Sequence, residues 1–314
     1  MGQYIEVIRD KNAMREWSRN RRLQGERICL VPTMGYLHRG HLSLVEEAKT
    51  RAPRVVVSIY INPAQFAVGE DFSTYPSNFE GDLDKLRALG VDAVFSPFDL
   101  YVREEKEART RLGGQDNTSN GCTSCLEEKA GNGHETWIRV ERLDKPLCGK
   151  SRPIFFRGVT TVVAKLFNIV EPDIAVFGKK DYQQWRLICR MVRDLDFAVE
   201  IIGSGIVRDP DGLALSSRNV HLSLEEREKA LSISRSLNQV RDAVCNGEIS
   251  TGKLRNSVVE AVLNAGGKID YAEIVDQETL QPMDRINFPA VLCVAAWFGG
   301  VRLIDNIELQ PPSQ

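Results

Sequence analysis

The stretch PTMGYLHRGH, residues 32–41, holds two of the chain's four histidines, His38 and His41, three positions apart and directly after a glycine-punctuated turn. Before it, Arg27 to Val31 is a short run rich in strand formers. After it, Leu42, Val45 and Ala48 have helical spacing. Such a junction places both imidazoles at the start of a helix, where unpaired N–H groups and the positive end of the helix dipole collect anions. A phosphate chain suits the pair better than a metal, which would look for carboxylate or thiolate partners nearby. A plainer reading, residues of a loop and a first turn, stays open on the motif alone.

Three further groups of polar residues follow apolar runs. INPAQF brings Asn62 and Gln65, whose amides can bond the hydroxyls and carboxylate of a small polar ligand. FGKKDYQQW brings Gly178 for close backbone approach, Lys180 as a phosphate-seeking ammonium, Asp181 as an acceptor for ribose hydroxyls, and Gln184 as another amide. DGLALSSRN brings Ser216, Ser217 and Arg218, two hydroxyls and a guanidinium suited to phosphate. Taken singly, each also reads as turn residues, a solvated charge run or a capping loop.

These groups need a scaffold that gathers strand ends. Buried strands are expected at 27–32, 55–62, 91–97, 173–178 and 197–203, alternating with helices at 41–51, 78–90, 159–170 and 182–195. Unbroken Val/Ile runs point to a parallel sheet buried on both faces, and the alternation to a doubly wound α/β domain that binds ligands beyond the C-terminal ends of its strands. Residues 103–145 break the pattern. They are charged, rich in Gly, Asn and Ser, and read as an exposed insertion with a short strand-like TWIRV at 136–140. Beyond residue 206, helices at 223–247 and 250–265 precede strands at 269–275, 290–298 and 301–308, a smaller α+β domain. The expected division is 1–206 and 207–314, in keeping with a length of 314 residues.

Composition narrows the function classes. Hydrophobic residues at 42% and charged residues at 27% are ordinary for a soluble globular protein, and a net charge of −2 supplies no basic field to draw nucleic acid or an anionic membrane. Residues 207–314 carry 11 Lys and Arg against 15 Asp and Glu, the opposite of an RNA footprint. The N-terminal residues lack the features of a signal or transit peptide, and no run approaches a membrane span. The seven cysteines, Cys29, Cys122, Cys125, Cys148, Cys189, Cys245 and Cys293, are odd in number and scattered, which points to reduced thiols in the cytosol. Only Cys122 and Cys125 form a CxxC. With His134 as the one imidazole nearby and only weak candidates for a fourth ligand, they read as loop thiols before a zinc site.

In order, VPTMGYLHRGHLSLV, YINPAQF, CGKSRPIFFRGVTTVV, FGKKDYQQ and DGLALSSRN resemble the motifs of the pantothenate synthetase family, the AMP-forming pantoate–β-alanine ligases. The match spans nearly the whole chain outside the insertion, which itself resembles that of the plant-type members. The family lies in the nucleotidyltransferase superfamily, whose HIGH-type signature is here His38-Arg39-Gly40-His41 and whose KMSKS-type loop resembles Ser216-Ser217-Arg218. The resemblance implies a Rossmann-like domain with a smaller lid domain carrying the SSRN loop at its start, a homodimer, and condensation of pantoate with β-alanine through a pantoyl adenylate. ATP would be consumed as substrate with Mg²⁺, releasing pyrophosphate and AMP.

Residue by residue, the resemblance implies that Met34, His38, His41, Gly178, Lys180, Asp181, Ser216, Ser217 and Arg218 meet ATP. Asn62, Gln65, Gln184 and Arg152 would meet pantoate or the rim of the site. His38, His41, Lys180, Ser216, Ser217 and Arg218 would stabilise charge on the departing pyrophosphate. Two departures stand out. Phe155 in RPIFF replaces a histidine common in bacterial members, and of the acidic cluster that serves magnesium only Asp82 keeps a matching acid. A nucleotidyltransferase that retains the nucleotide in its product would share the histidine motif without needing both amide motifs.

Overall fold

The computed structural model of the chain describes residues 5–67, 69–101 and 134–312. Its larger unit contains β1 (Glu6–Ile8), α1 (Lys11–Leu23), β2 (Ile28–Thr33), α2 (Arg39–Arg51), β3 (Arg54–Ile59), α3 (Phe79–Ala88), β4 (Ala93–Phe95), the single turn α4 (Cys148–Ser151), α5 (Phe155–Val170), β5 (Ile174–Gly178), α6 (Tyr182–Asp194) and β6 (Glu200–Ser204). The six strands form one parallel sheet in the order β1-β4-β3-β2-β5-β6.

The central strand explains the continuous apolar runs. Ile28 and Leu30 join a core with α1, α5 and α6, while Cys29 and Val31 join another with α2 and α3. All four are fully buried, and each aliphatic side chain so placed contributes about 1.5–3 kcal/mol. From β2 the chain builds outward through β3 to β4, then returns to the opposite side of β2 with β5. The reversal leaves a crevice beyond the C-terminal ends of β2 and β5, the usual ligand site of such sheets.

The smaller unit packs α7 (Leu224–Cys245) and α8 (Thr251–Asn264) on an antiparallel sheet of β7 (Lys268–Asp276), β8 (Ala290–Phe298) and β9 (Val301–Leu309), in the order β7-β8-β9. On β8, Leu292, Val294, Ala296 and Phe298 join the core formed with the two helices. Val291 and Cys293 instead join Val275 and Leu280 in a seam with Leu147, Phe156, Tyr182 and Leu187 of the larger unit. Among the described residues no helix is long and apolar enough to cross a membrane.

Several local expectations change. The N-terminal β1 and α1 are additions to the expected elements: β1 has three residues, and α1, capped by Asp10, buries Met14, Trp17 and Ser18 of thirteen. The strand expected at 55–62 ends at Ile59, short of Asn62, and β4 is confined to 93–95. Residues 136–140 form no strand. There α5 takes up the backbone groups a neighbouring strand would use: Thr160 Oγ1 donates to the Ile138 carbonyl at 2.6 Å, and Ile138 N donates to Thr161 Oγ1 at 3.0 Å. The end of the stretch expected to be an exposed insertion is packed, with Leu143 and Asp144 buried. Cys122 and Cys125 lie outside the described residues.

Helix α5 lies directly against the 3₁₀ turn Pro63–Gln65. A Cβ at Gly158 would come within 2.1 Å of the Ala64 carbonyl oxygen and 2.7 Å of Gln65 N. Gly158→Ala must therefore push helix and turn apart. It is expected to cost about 1–3 kcal/mol, read as a lower urea midpoint with an unchanged slope.

Candidate active site

The N-terminus of α2 is built around its two imidazoles. His38 is the N-cap: its Nδ1 accepts from Gly40 N at 3.1 Å, and His41 Nδ1 accepts from His38 N at 3.4 Å, a capping box made of histidines. The ring centroids are 4.1 Å apart. A Cβ at Gly40 would lie 2.9 Å from the His38 ring, so the glycine between the histidines lets the first ring fold back. With each Nδ1 accepting, the proton of each neutral ring sits on Nε2. Burial, reinforced by Lys180, pushes His38 down to about 4; burial, then His38 and Lys180, pushes His41 down to about 3. The pair therefore offers neutral N–H donors at physiological pH.

These rings open onto a cleft of about 910 Å³ between the two units. Thirteen of the fourteen residues singled out from the sequence line it: Met34, His38, His41, Asn62, Gln65, Arg152, Gly178, Lys180, Asp181, Gln184, Ser216, Ser217 and Arg218. Asp82 is the exception. It is 1% exposed, and its two oxygens accept from Tyr36 N and Leu37 N, each at 2.7 Å. Expected as a magnesium ligand, it does not line the cleft, and both its oxygens are taken by the backbone behind the histidines.

The amide wall is pre-set by hydrogen bonds. Asn62 is 1% exposed; it donates to Gln65 Oε1 at 2.9 Å and to the Gly158 carbonyl at 3.1 Å, and it accepts from Tyr101 OH at 2.7 Å. Its amide thus acts on a ligand through Gln65. The Gln65 Nε2 is left at 3.2 Å from Met34 Sδ, a weak acceptor. Across the cleft the neighbours Gln183 and Gln184 divide their work. Both line the cleft, but Gln183 is buried and its Nε2 is committed to the carbonyls of Leu143 and Pro146, whereas no side-chain bond of this kind ties Gln184 among the described residues. At Gly178 a Cβ would meet only Leu44, at 3.9 Å, so the space there belongs to the cleft.

The cations differ in availability. Arg152 grips Glu70 through two bonds of 2.8 and 2.6 Å and lies 3.8 Å over the ring of Phe155. The aromatic ring at 155, where an imidazole was the alternative, thus serves as a platform for the arginine. Arg218 grips Asp71 at 2.8 and 3.0 Å, and Ser217 Oγ lies 3.1 Å from Tyr75 OH. Lys180 is 3.8 Å from Asp181 Oδ2, beyond hydrogen-bond reach, and so is the least committed of these three cations. Its turn is fixed by the smaller unit: Asn306 on β9 donates to the carbonyls of Lys179 and Lys180 at 2.9 and 3.0 Å.

Glu70, Asp71, Tyr75 and Asn306 escaped the sequence reading. The acids in GEDFSTY could have been paired in principle with the isolated Arg152 and Arg218, but only the fold brings them across the cleft. Asn306 has no local signal at all, since its partners lie 126 and 127 residues away.

The chain resembles known proteins over nearly its whole length. The family model for pantoate-beta-alanine ligase matches residues 6–308. A pantoate–beta-alanine ligase of Oryza sativa subsp. japonica is 62% identical over 313 residues, covering 98% of each chain. Among solved structures, pantothenate synthetase of Thermus thermophilus superposes with a TM-score of 0.82 at 40% identity, covering 98% of this chain and 100% of that one. The pantoate-beta-alanine ligase of Francisella tularensis, complexed with beta-gamma ATP and beta-alanine, gives 0.71 at 31% identity over 97% of both chains.

The depressed histidines carry a pH signature. Above the ordinary value of 6.5 both are neutral folded or unfolded, and native stability is undiminished. Below it the unfolded chain binds protons that the native pair refuses, so stability falls as pH drops from 6.5 towards about 4 for His38 and about 3 for His41. Imidazole NMR should show both rings as neutral Nε2–H tautomers at pH 6. A ring titrating near 6.5 would contradict the geometry.

Proposed function

The chain belongs to the pantoate–beta-alanine ligase family, and on that premise we propose that its cleft condenses pantoate with β-alanine by way of a pantoyl adenylate. The observation that carries this reading is the convergence of the two histidines, the Lys180 turn, the SSRN loop and the Gln65 and Gln184 amides on one cleft at the reversal of the sheet.

A carboxylate and an amine at neutral pH exchange a proton and stop. In the first step a pantoate carboxylate oxygen attacks the α-phosphorus of ATP, and the bond to the bridging oxygen breaks, releasing pyrophosphate. In the second, the β-alanine amine attacks the acyl carbon, AMP leaves with the former carboxylate oxygen, and the amine loses a proton. Gln65 and Gln184 hold pantoate, a proximity effect worth several kcal/mol. His38 and His41 donate neutral Nε2–H groups to the phosphates at the N-terminus of α2, and Lys180 supplies charge where the pyrophosphate oxygen departs. Ser216 and Ser217 add hydroxyls, and Arg218 joins when it exchanges Asp71 for phosphate. Gly178 and Asp181 meet the nucleotide, with Met34 beside it.

Among the described residues no group of three or more His, Cys, Asp or Glu side chains could hold a metal ion. Mg²⁺ would then arrive with the triphosphate, most of its shell made of phosphate oxygens and water. The same proposal includes the division at residue 206, a cytosolic setting and a homodimer through the larger unit, which sedimentation at micromolar concentration would check.

Enzyme, ATP, Mg²⁺ and pantoate without β-alanine should exchange labelled pyrophosphate into ATP, because the adenylate forms reversibly. Attack on a pantoyl phosphate would instead release ADP and show no exchange. Lys180→Ala should depress exchange and overall turnover together by about 2–4 kcal/mol, the scale of one preorganised donor. Exchange at the wild-type rate in that variant would remove Lys180 from the first step.

A further inference from the structure

We infer that Asp82 is a positioning residue for the histidine pair, gripping the turn that precedes it, and that Asp82 is no metal ligand in this chain. The inference rests on the reading of the cleft as an ATP site.

Asp82 lies in the first turn of α3 and is 1% exposed. It reaches out of its own helix to Tyr36 N and Leu37 N, one oxygen to each, at 2.7 Å. Lys85, one turn further along, donates to the Leu37 carbonyl at 2.7 Å and stands 3.7 Å from Asp82 Oδ1. Two side chains of one helix turn thus hold three backbone groups of a two-residue segment.

That segment needs holding. Gly35 and Tyr36 are left-handed in succession, with φ of 86° and 51°. A tyrosine rarely takes this conformation and keeps it only where its surroundings over-determine it. At Gly35 a Cβ would also come within 3.3 Å of Asp82 Oδ2. The turn delivers the chain to His38, whose backbone is extended at φ −124° and whose N–H goes to His41. Where the turn goes, both rings follow. An acid in a metal site would instead face the cleft, whose lining does not include Asp82.

In Asp82→Asn one amide nitrogen would face a backbone N–H. Pyrophosphate exchange should fall at least tenfold, while the half-saturating Mg²⁺ concentration at fixed ATP stays within twofold. Adding Tyr36→Gly should restore exchange at least threefold, because glycine takes a positive φ without steric cost. In metal-free protein the His38 and His41 titrations should move up towards 6.5 in Asp82→Asn. Undiminished exchange, recovery with excess Mg²⁺, or unchanged histidine titrations would overturn the inference. If Asp82→Asn fails to fold, Lys85→Met keeps the carboxylate and removes the bond to Leu37. A several-fold loss with unchanged Mg²⁺ demand is then expected, and full activity would count against the clamp. Absence of exchange in the wild-type protein would instead fault the ATP reading.

Discussion

A parallel sheet buried on both faces has to put its polar business at its ends, and here that constraint governs everything else. The strands Ile28–Thr33 and Ile174–Gly178 lie side by side, but the connections that follow them leave in different directions. Between these connections no described backbone fills the space. The histidine-capped helix approaches the gap from one strand and the Lys179–Asp181 turn from the other, so their N–H groups and charges meet over a hollow without either element being bent to reach it.

What could be read from the sequence was what depends on short range. Histidines at 38 and 41, amides at 62 and 65, and the 216–218 loop each sit within a few residues of an expected strand end or turn, so local patterning marks them as candidates and the family resemblance chooses among their readings. Asp82 stands out only through the family resemblance, and local sequence could not have shown its partners. A carboxylate suited to a cation and one suited to two backbone N–H groups are the same residue type, and it is the packing of its helix behind the 34–37 turn that brings Tyr36 N and Leu37 N to it. At 136–140 strand propensity was present, but the hydroxyls of Thr160 and Thr161 satisfied Ile138 first. The first helix does carry an apolar stripe, through Met14 and Trp17, which escaped the sequence reading in so charged a run.

The electrostatics of the cleft are more balanced than its cations suggest. Arg152 and Arg218 face Glu70 and Asp71, neighbours on one segment that reaches both walls. An anion arriving there enters a competition for guanidinium groups and does not meet free charge, whereas at Lys180 it meets an ammonium whose nearest described acid, Asp181, stands beyond hydrogen-bond reach. The contrast sets two different demands: a single phosphate could satisfy the lysine, whereas releasing both arginines from their carboxylates would take a ligand with several charged groups.

The last strand of the fold has a bearing on how the protein is made. Asn306 and the seam residues of the smaller sheet are translated after every group that touches the cleft from the larger unit, yet the Lys179–Lys180 carbonyls depend on Asn306 for their hydrogen bonds. The strands of the parallel sheet are all present by residue 204, whereas a nascent chain still lacking Val301–Leu309 has neither the Asn306 bonds to the Lys179 and Lys180 carbonyls nor the seam against the smaller sheet. Synthesis therefore delivers the scaffold of the cleft before the groups that hold its Lys179–Asp181 turn.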